Sequence, residues 1–278
     1  MSAVAQYAQG HTPHDRLSYL LNRLCDELDG YKGTSPVSAE VVSLAQQAKT
    51  VIDGYDGYLQ KMSSPHPPVV DVMIEQGNKR DWDKIYYEGK TKFKLLPEMT
   101  AGGYEAVVLQ HLAKLAKAKS VLEIGMFTGT TTVSLAMLPT VLKVVTLELE
   151  EYLERTNRPF FEQSGVSGKI DVRIGDALTS LDRLIEEKAS FDMVFIDADK
   201  GNYLNYFHKI VDGGLLARDG FMVVDNVAYK AAPWAPDPCY NTGPVLDAFN
   251  AAVRDHPDVE VVMLPVEDGI SLIRRKDS

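Results

Sequence analysis

From about Leu95 onward, short unbroken apolar runs alternate with stretches of helical periodicity, and no other feature of the chain restricts its fold as much. Ser120–Ile124, Lys143–Leu147, Ile170–Ile174, Phe191–Ile196, Phe221–Val224, Val259–Leu264 and Ile270–Ile273 read as strands. The central runs are continuously apolar rather than alternating. Such strands are covered on both faces, which calls for a parallel sheet with helical crossovers. Pro265–Gly269 is too short for a crossover, so the last two runs must form an antiparallel hairpin. The expected fold is therefore α/β, a seven-strand, mostly parallel sheet whose last strand is antiparallel. Ligands of such sheets bind beyond the carboxyl ends of the strands, at the switch point, and candidate residues are sought there.

Residues 1–90 have a different texture. Leu17, Leu20, Leu21, Leu24 and Leu28 share one face of a helix that begins near His14 and is ended by Gly30 and Gly33. A second apolar pattern runs from about Ala39 to Leu59, and Ser63-Ser64-Pro65-His66-Pro67-Pro68 is a rigid connector. The chain divides into a helical extension over 1–90, packing on the core, and a catalytic domain over 91–278. His11, His14 and His66 read as solvent-exposed loop residues rather than a metal site. The net charge of −10 and the absence of a basic cluster speak against a nucleic-acid partner. Met1–Gly10 has no signal-peptide pattern, and no apolar run approaches a membrane span. Cys25 and Cys239 are too few for a disulfide framework and read as free thiols. A cytoplasmic protein without membrane contact is expected.

The first strand runs into Glu123-Ile124-Gly125-Met126-Phe127-Thr128-Gly129. Glycines here permit a sharp turn and a close backbone approach to a ligand. A dinucleotide fingerprint needs G-x-G-x-x-G, and Phe127 stands where its second glycine belongs. That ring would block a pyrophosphate, and Glu123 would repel one. A carboxylate suits a ligand bearing an ammonium group, and S-adenosylmethionine has one and no phosphate. The glycines alone also fit a plain strand-to-helix turn, but with Glu123 and Phe127 they favour the methyl donor over NAD. Glu148 ends the second strand, where an acid takes the ribose hydroxyls of a nucleoside; a solvated acid opening the next helix is the other reading. Asp176 either accepts from the adenine amine or caps the following helix, with Ala177 beside it.

The fourth strand runs into Asp197-Ala198-Asp199-Lys200 and the fifth into Asp225-Asn226. Adjacent parallel strands place Asp197 and Asp225 near one another. Two carboxylates and an amide oxygen form an all-oxygen set, which hard cations prefer. Mg²⁺ is expected, with Mn²⁺ or Ca²⁺ as alternatives, unless each Asp merely caps a helix. Lys200 is then placed to act as general base on a hydroxyl that the cation has made more acidic; the other reading is a solvated surface charge.

These residues carry a resemblance. Leu122-Glu123-Ile124-Gly125 with Phe127-Thr128-Gly129, Phe195-Ile196-Asp197-Ala198-Asp199-Lys200 followed by Asn202-Tyr203, Asp225-Asn226, and Asp268-Gly269-Ile270-Ser271-Leu272-Ile273-Arg274-Arg275 are similar to the cation-dependent O-methyltransferases. That family includes caffeoyl-CoA and catechol O-methyltransferases. The likeness covers about Leu96 to Lys276. It implies the seven-strand methyltransferase fold, S-adenosylmethionine, a divalent cation and a homodimer. It implies cation ligation by Asp197, Asp225 and Asn226, with Lys200 as base. For the donor it implies Glu123, Gly125, Met126, Thr131, Glu148 and Ala177, with Met99 and Glu105 upstream; Phe127 and Asp176 complete the donor candidates. The acceptor is then a small vicinal diol or enediol. After Asp225-Asn226 the family commonly continues Leu-Trp-x-Gly, whereas this chain reads Val227-Ala228-Tyr229-Lys230-Ala231-Ala232-Pro233-Trp234. That segment shapes the acceptor pocket, so Lys230 and Trp234 are candidate substrate contacts. Thr12-Pro13-His14 and Gly54-Tyr55-Asp56-Gly57-Tyr58-Leu59 resemble the extended members of mycosporine biosynthesis, which methylate an enolic hydroxyl of demethyl-4-deoxygadusol. The alternatives are a nicotinamide oxidoreductase on the same sheet and a non-catalytic protein that binds the donor.

Overall fold

The computed structural model describes residues 12–29, 39–237 and 241–276. Helices α1 (Pro13–Asp29), α2 (Ala39–Met62), α3 (Pro68–Lys79), α4 (Trp82–Tyr87) and α5 (Gly103–Leu115) precede the sheet. β1 (Ser120–Ile124), β2 (Lys143–Glu148), β3 (Ile170–Ile174), β4 (Phe191–Ile196) and β5 (Leu216–Val224) then alternate with α6 (Thr130–Ala136), α7 (Glu151–Gln163), α8 (Ala177–Glu186) and α9 (Tyr203–Asp212). The chain continues through α10 (Gly243–Asp255), β6 (Val259–Leu264) and β7 (Ile270–Arg275).

The sheet has seven strands in the order β3-β2-β1-β4-β5-β7-β6. β7 inserts between β5 and β6 and is antiparallel to both, with Val259 opposite Arg275 and Leu264 opposite Ile270. The expected mostly parallel sheet with an antiparallel last strand is therefore the observed one. The order reverses between β1 and β4, which puts the switch point where their carboxyl ends diverge.

Side chains alternate across the sheet. Leu122, Ile124, Val194, Ile196, Met222 and Val224 face one core, closed by Leu181, Phe207 and Phe249 from α8, α9 and α10. Val121, Met193, Phe195 and Val223 face the other, closed by Leu109 and Leu135. The central strands are thus buried on both faces, as their continuous apolar runs require. A third cluster joins Met73, Trp82 and Ile85 of α3 and α4 to Met126, Val133, Leu153 and Phe161.

Some details differ from the sequence reading. β5 begins at Leu216 rather than Phe221, because an irregularity opposite Phe191–Met193 accommodates the exposed Arg218-Asp219 pair within the strand. α1 opens with a reciprocal cap: Asp15 N–H donates to Thr12 Oγ1 at 3.0 Å, and Thr12 N–H donates to Asp15 Oδ2 at 3.1 Å. Leu17, Leu20 and Leu24 stay 43%, 50% and 47% exposed. His14 is not a loop residue; it lies on α1, half-buried, its ring stacked 4.8 Å from that of Tyr55. His66 is likewise held, with Nε2 2.8 Å from Asp71 Oδ1 and its ring against Gly103. His11, Gly30, Gly33 and Cys239 lie outside the described residues, and Cys25 is a half-buried free thiol. Among the described residues no helix is long and apolar enough to cross a membrane.

Candidate active site

The strand ends are locked in register where the site forms. Gly125 N–H bonds Leu147 O, Asp197 N–H bonds Ile124 O, and Asp225 N–H bonds Ile196 O, each at 2.9 Å. Gly125 has φ +95°, and a Cβ there would meet the carbonyl oxygen of Asp197 at 2.0 Å. Only glycine lets the β1 turn lie so close to the end of β4. Gly129, at φ +75°, opens α6 against the ring of Phe161.

Two carboxylates organise that turn. Glu123 is wholly buried and accepts from Thr131 and Thr132 of α6 at 2.5 Å and from Thr146 of β2 at 2.6 Å. Burial pushes its carboxyl up to about 7, against the pull of the three hydroxyls. Glu148 accepts four backbone N–H bonds, from Met126 (3.2 Å), Phe127 (2.9 Å), Leu149 (2.7 Å) and Glu150 (2.9 Å). Burial raises its pKa, and these amides oppose the rise. Phe127 has φ +44° and packs its ring 5.2 Å from that of Trp82. Asp176 caps α8, accepting from Thr179 N–H and Oγ1–H at 2.8 Å, which lowers its pKa. Ala177 is the first residue of that helix, and Met99, 41% exposed, ends a short turn of 3₁₀ helix before α5.

A second group of acids gathers beyond β4 and β5. Asn226, in the left-handed region at φ +58°, is its pivot. Its Nδ2 donates to Asp225 Oδ2 at 2.9 Å and to both carboxylate oxygens of Asp268 at 2.8 and 2.9 Å. Its Oδ1 accepts from Lys200 Nζ at 2.5 Å. Lys200 Nζ lies 5.4 Å from the Tyr229 ring centroid and 5.8 Å from that of Tyr203. Burial raises the pKa of Asp197. Burial, then repulsion by Glu105, Asp268 and Asp197, lifts Asp225 well above the usual carboxylate range. Glu105, on the first turn of α5, is lifted by burial and by Asp197 and Asp268. Asp268 is pushed up to about 7, chiefly by burial. Lys200 is the cation that offsets all four. Asp225 Oδ1 and Glu105 Oε1 are buried without a hydrogen-bond partner. The donor set is oxygen-rich, crowded and short of positive charge, which is what a hard divalent cation would satisfy.

The segment after Asn226 folds back over this group. Val227 N–H bonds Gly269 O at 3.0 Å and Ala228 N–H bonds Asp268 O at 2.9 Å. Lys230 and Ala231 follow in left-handed conformation, at φ +53° and +57°. Lys230 is fully buried and burial lowers its pKa, whereas Trp234 is 62% exposed. From α1, Arg16 donates to the carbonyls of Lys230 (3.0 Å) and Ala235 (2.8 Å) and pairs with Asp237 at 3.3 Å.

The sequence profile of the O-methyltransferase family matches residues 59–276. The chain belongs to that family. Among curated relatives, this O-methyltransferase is 37% identical over 187 residues to caffeoyl-CoA O-methyltransferase 1 of Eucalyptus globulus, covering 64% of this chain and 75% of that one. It is 37% identical over 186 residues to the caffeoyl-CoA O-methyltransferase of Petroselinum crispum, covering 64% and 77%. The SAH-bound Podospora anserina methyltransferase PaMTH1 superposes with a TM-score of 0.69 at 26% identity, over 89% of this chain and all of that one. TomG of Streptomyces achromogenes, an O-methyltransferase in complex with SAM, gives 0.65 at 25% identity over 79% and 95%.

In this O-methyltransferase the sequence candidates fall into two neighbouring groups. Glu123, Gly125, Met126, Phe127, Thr131 and Glu148 build the β1 turn, while Asp197, Lys200, Asp225 and Asn226 meet at the ends of β4 and β5. Glu105 belongs electrostatically with the second group. Asp268 and Arg16 were not among the candidates. Asp268 was visible as the acid opening the Asp268-Gly269-Ile270 turn into the last strand. Arg16 carried no signal, since its partners lie more than two hundred residues away.

Proposed function

We propose that this O-methyltransferase uses S-adenosylmethionine and a divalent cation to methylate one hydroxyl of a small vicinal diol or enediol. The observation that carries this reading is the convergence of Asp197, Asp225, Asn226, Asp268 and Glu105 on Lys200, directly beside the β1 glycine turn. Asp197, Asp225 and Asn226 would hold the cation, and the partnerless Asp225 Oδ1 supports that role. Mg²⁺ fits the oxygen donors best. When bound, the cation supplies Lewis acidity that holds adjacent acceptor oxygens and eases ionisation of a hydroxyl.

The remaining work falls to side chains of this chain. Lys200 is the general base and takes the acceptor hydroxyl proton at Nζ. The resulting oxygen attacks the donor methyl carbon in line with sulfur; the C–O bond forms as the C–S bond breaks, and S-adenosylhomocysteine leaves. Gly125 and Met126 bring backbone close to the donor. Glu148, at the end of β2, takes the ribose, its oxygens positioned by the turn amides. Glu123 supports the turn from beneath through Thr131 and Thr132, a role its burial favours over direct contact with the donor ammonium. Asp176 and Ala177 flank the adenine, and Met99 closes the donor side. Lys230 and Trp234 face the acceptor. Holding both reactants in line converts a bimolecular transfer into an effectively unimolecular one. SAM and SAH in the related structures support the donor assignment.

The caffeoyl-CoA relatives support a catechol-type acceptor. The departure at Val227–Trp234 speaks against a plain caffeoyl-CoA acceptor, and the likeness of Thr12–His14 and Gly54–Leu59 to the extended members supports an enediol of the demethyl-4-deoxygadusol type. The half-exposed Leu17, Leu20 and Leu24 support a homodimer, which sedimentation would test. Family membership replaces the oxidoreductase and the non-catalytic alternatives. Exhaustive chelation should abolish turnover, and Mg²⁺ or Mn²⁺ should restore it. Full turnover by a chelated, metal-free sample would refute the cation assignment.

A further inference from the structure

At the other end of the sheet, three side chains of metal-ligating type stand together. His208 and Asp212 lie one helical turn apart on α9, and His256 directly follows α10. One donor atom from each lies within 4.8 Å of the other two. The topology fixes where this is. α9 ends at Asp212 shortly before β5 begins at Leu216, and His256 shortly precedes Val259, the first residue of β6. Both segments lie at the amino ends of strands, whereas Asp197 and Asp225 lie past the carboxyl ends.

The setting is rigid. The wholly buried Phe207 makes edge contacts with both imidazoles, at centroid distances of 5.4 Å to His208 and 5.3 Å to His256. The end of β7 ties both segments together. Arg275 donates to Val211 O at 2.7 Å, and Lys276 Nζ donates to Pro257 O at 2.7 Å and His256 O at 3.2 Å. The two histidine ring centroids are 6.2 Å apart, and His208 Nδ1 lies 3.3 Å from Asp212 Oδ2.

We propose that His208, Asp212 and His256 form a second cation site, for a borderline transition-metal ion such as Zn²⁺, with water in the open positions. Two imidazoles and one carboxylate suit such ions rather than Mg²⁺ or Ca²⁺. His208 and Asp212 are exposed, so the ion enters directly from solvent. Bound there, it staples the end of α9 to the turn before β6. The Lys276 ammonium on the His256 carbonyl places a like charge nearby and moderates the affinity.

One hydrogen bond must change on binding. His256 Nδ1 accepts from Asp258 N–H at 3.2 Å. A neutral imidazole has one acceptor nitrogen. If Nδ1 ligates, the ion displaces that N–H. If Nε2 ligates, the ring proton moves to Nδ1, which no longer accepts. Either route releases the Asp258 amide, which gives the site a spectroscopic signature.

The test is calorimetric titration of the full chain with ZnCl₂ in excess MgCl₂, beside His208→Ala and His256→Ala. Wild type should bind one Zn²⁺ that each variant binds at least about tenfold more weakly, even an outer-sphere partner being worth that much. The Asp258 amide resonance should shift during the titration. Asp225→Asn should retain this zinc, which separates it from the acidic group at the other end. Equal zinc binding with and without the two histidines, or none in wild type, would overturn the proposal.

Discussion

Glu123 shows how much of a strand-end carboxylate's setting comes from outside its own strand. Its position before the glycine turn suggested a ligand contact, because acids at strand ends commonly face the site. Within the fold it accepts from Thr131, Thr132 and Thr146, which come from the next helix and the neighbouring strand. No local pattern predicts that convergence. A titration follows from it. The folded pKa of about 7 stands above the ordinary 4.5. The native state therefore holds this proton more tightly than the unfolded chain, and the contribution is complete below about 4.5 and lost as pH rises through about 7. The full effect is at most about 3 kcal/mol. Glu123→Gln cannot titrate, so wild type should lose ground to it between pH 5 and pH 8 in urea unfolding. Parallel curves would remove Glu123 from the pH response. Lys200 was easier to locate, because the short Asp197-Ala198-Asp199-Lys200 run carries it from the end of β4 to Asn226 at the end of β5. If it is the base, Lys200→Ala should lower kcat by roughly 10²–10⁴ while donor affinity by calorimetry holds. A wild-type kcat and pH profile would make it a structural cation only.

At the scale of elements, strands were easier to read than their company. The bounds of β1, β3, β4 and β6 were legible to the residue; in β1 and β4 the apolar residues are buried against both cores, whereas β3 and β6, at the two edges of the sheet, are only partly covered. β5 was read short because Arg218 and Asp219 interrupt its apolar run. The contact between α1 and the segment after β5 was invisible, since no sequence periodicity encodes a hydrogen bond across the chain. If the segment after β5 shapes the acceptor pocket, as proposed, that contact bears on specificity. Consecutive non-glycine residues in the left-handed region cost of order 1–3 kcal/mol each and persist only where the surroundings impose them. Arg16 imposes them at Lys230 and Ala231 by holding the carbonyls of Lys230 and Ala235. Arg16→Ala should raise the acceptor KM while donor affinity is unchanged, and Arg16→Lys should recover little because a point charge cannot replace the planar fork. Unaltered acceptor kinetics in both variants would show that the segment holds its shape without α1.

At the scale of the whole molecule, the site draws on distant parts of the chain. Glu105 comes from α5, Asp197 and Asp225 from the ends of β4 and β5, and Asp268 from the turn between β6 and β7. All four meet within a chain of net charge −10, so folding must assemble mutual repulsion at one edge of the sheet. A cation that binds only the assembled set should then stabilise the entire fold. Linkage sets the size: about 2.7 kcal/mol when the free cation is at a hundred times its Kd. At about 2–4 °C per kcal/mol for large domains, Mg²⁺ should raise Tm by roughly 5–10 °C at pH 8. Protons compete for the same oxygens. Burial and mutual repulsion hold Asp225 and Glu105 well above the usual carboxylate range, and Asp268 at about 7. A protonated carboxyl is a poor ligand for a hard cation, so the Mg²⁺ increment should shrink steadily from pH 8 to pH 5.5. Asp225→Asn should reduce it at every pH, while His208→Ala leaves it intact. Thermal melts with and without MgCl₂ decide the matter: an increment that grows toward acid pH, or survives in full in Asp225→Asn, would place the cation elsewhere.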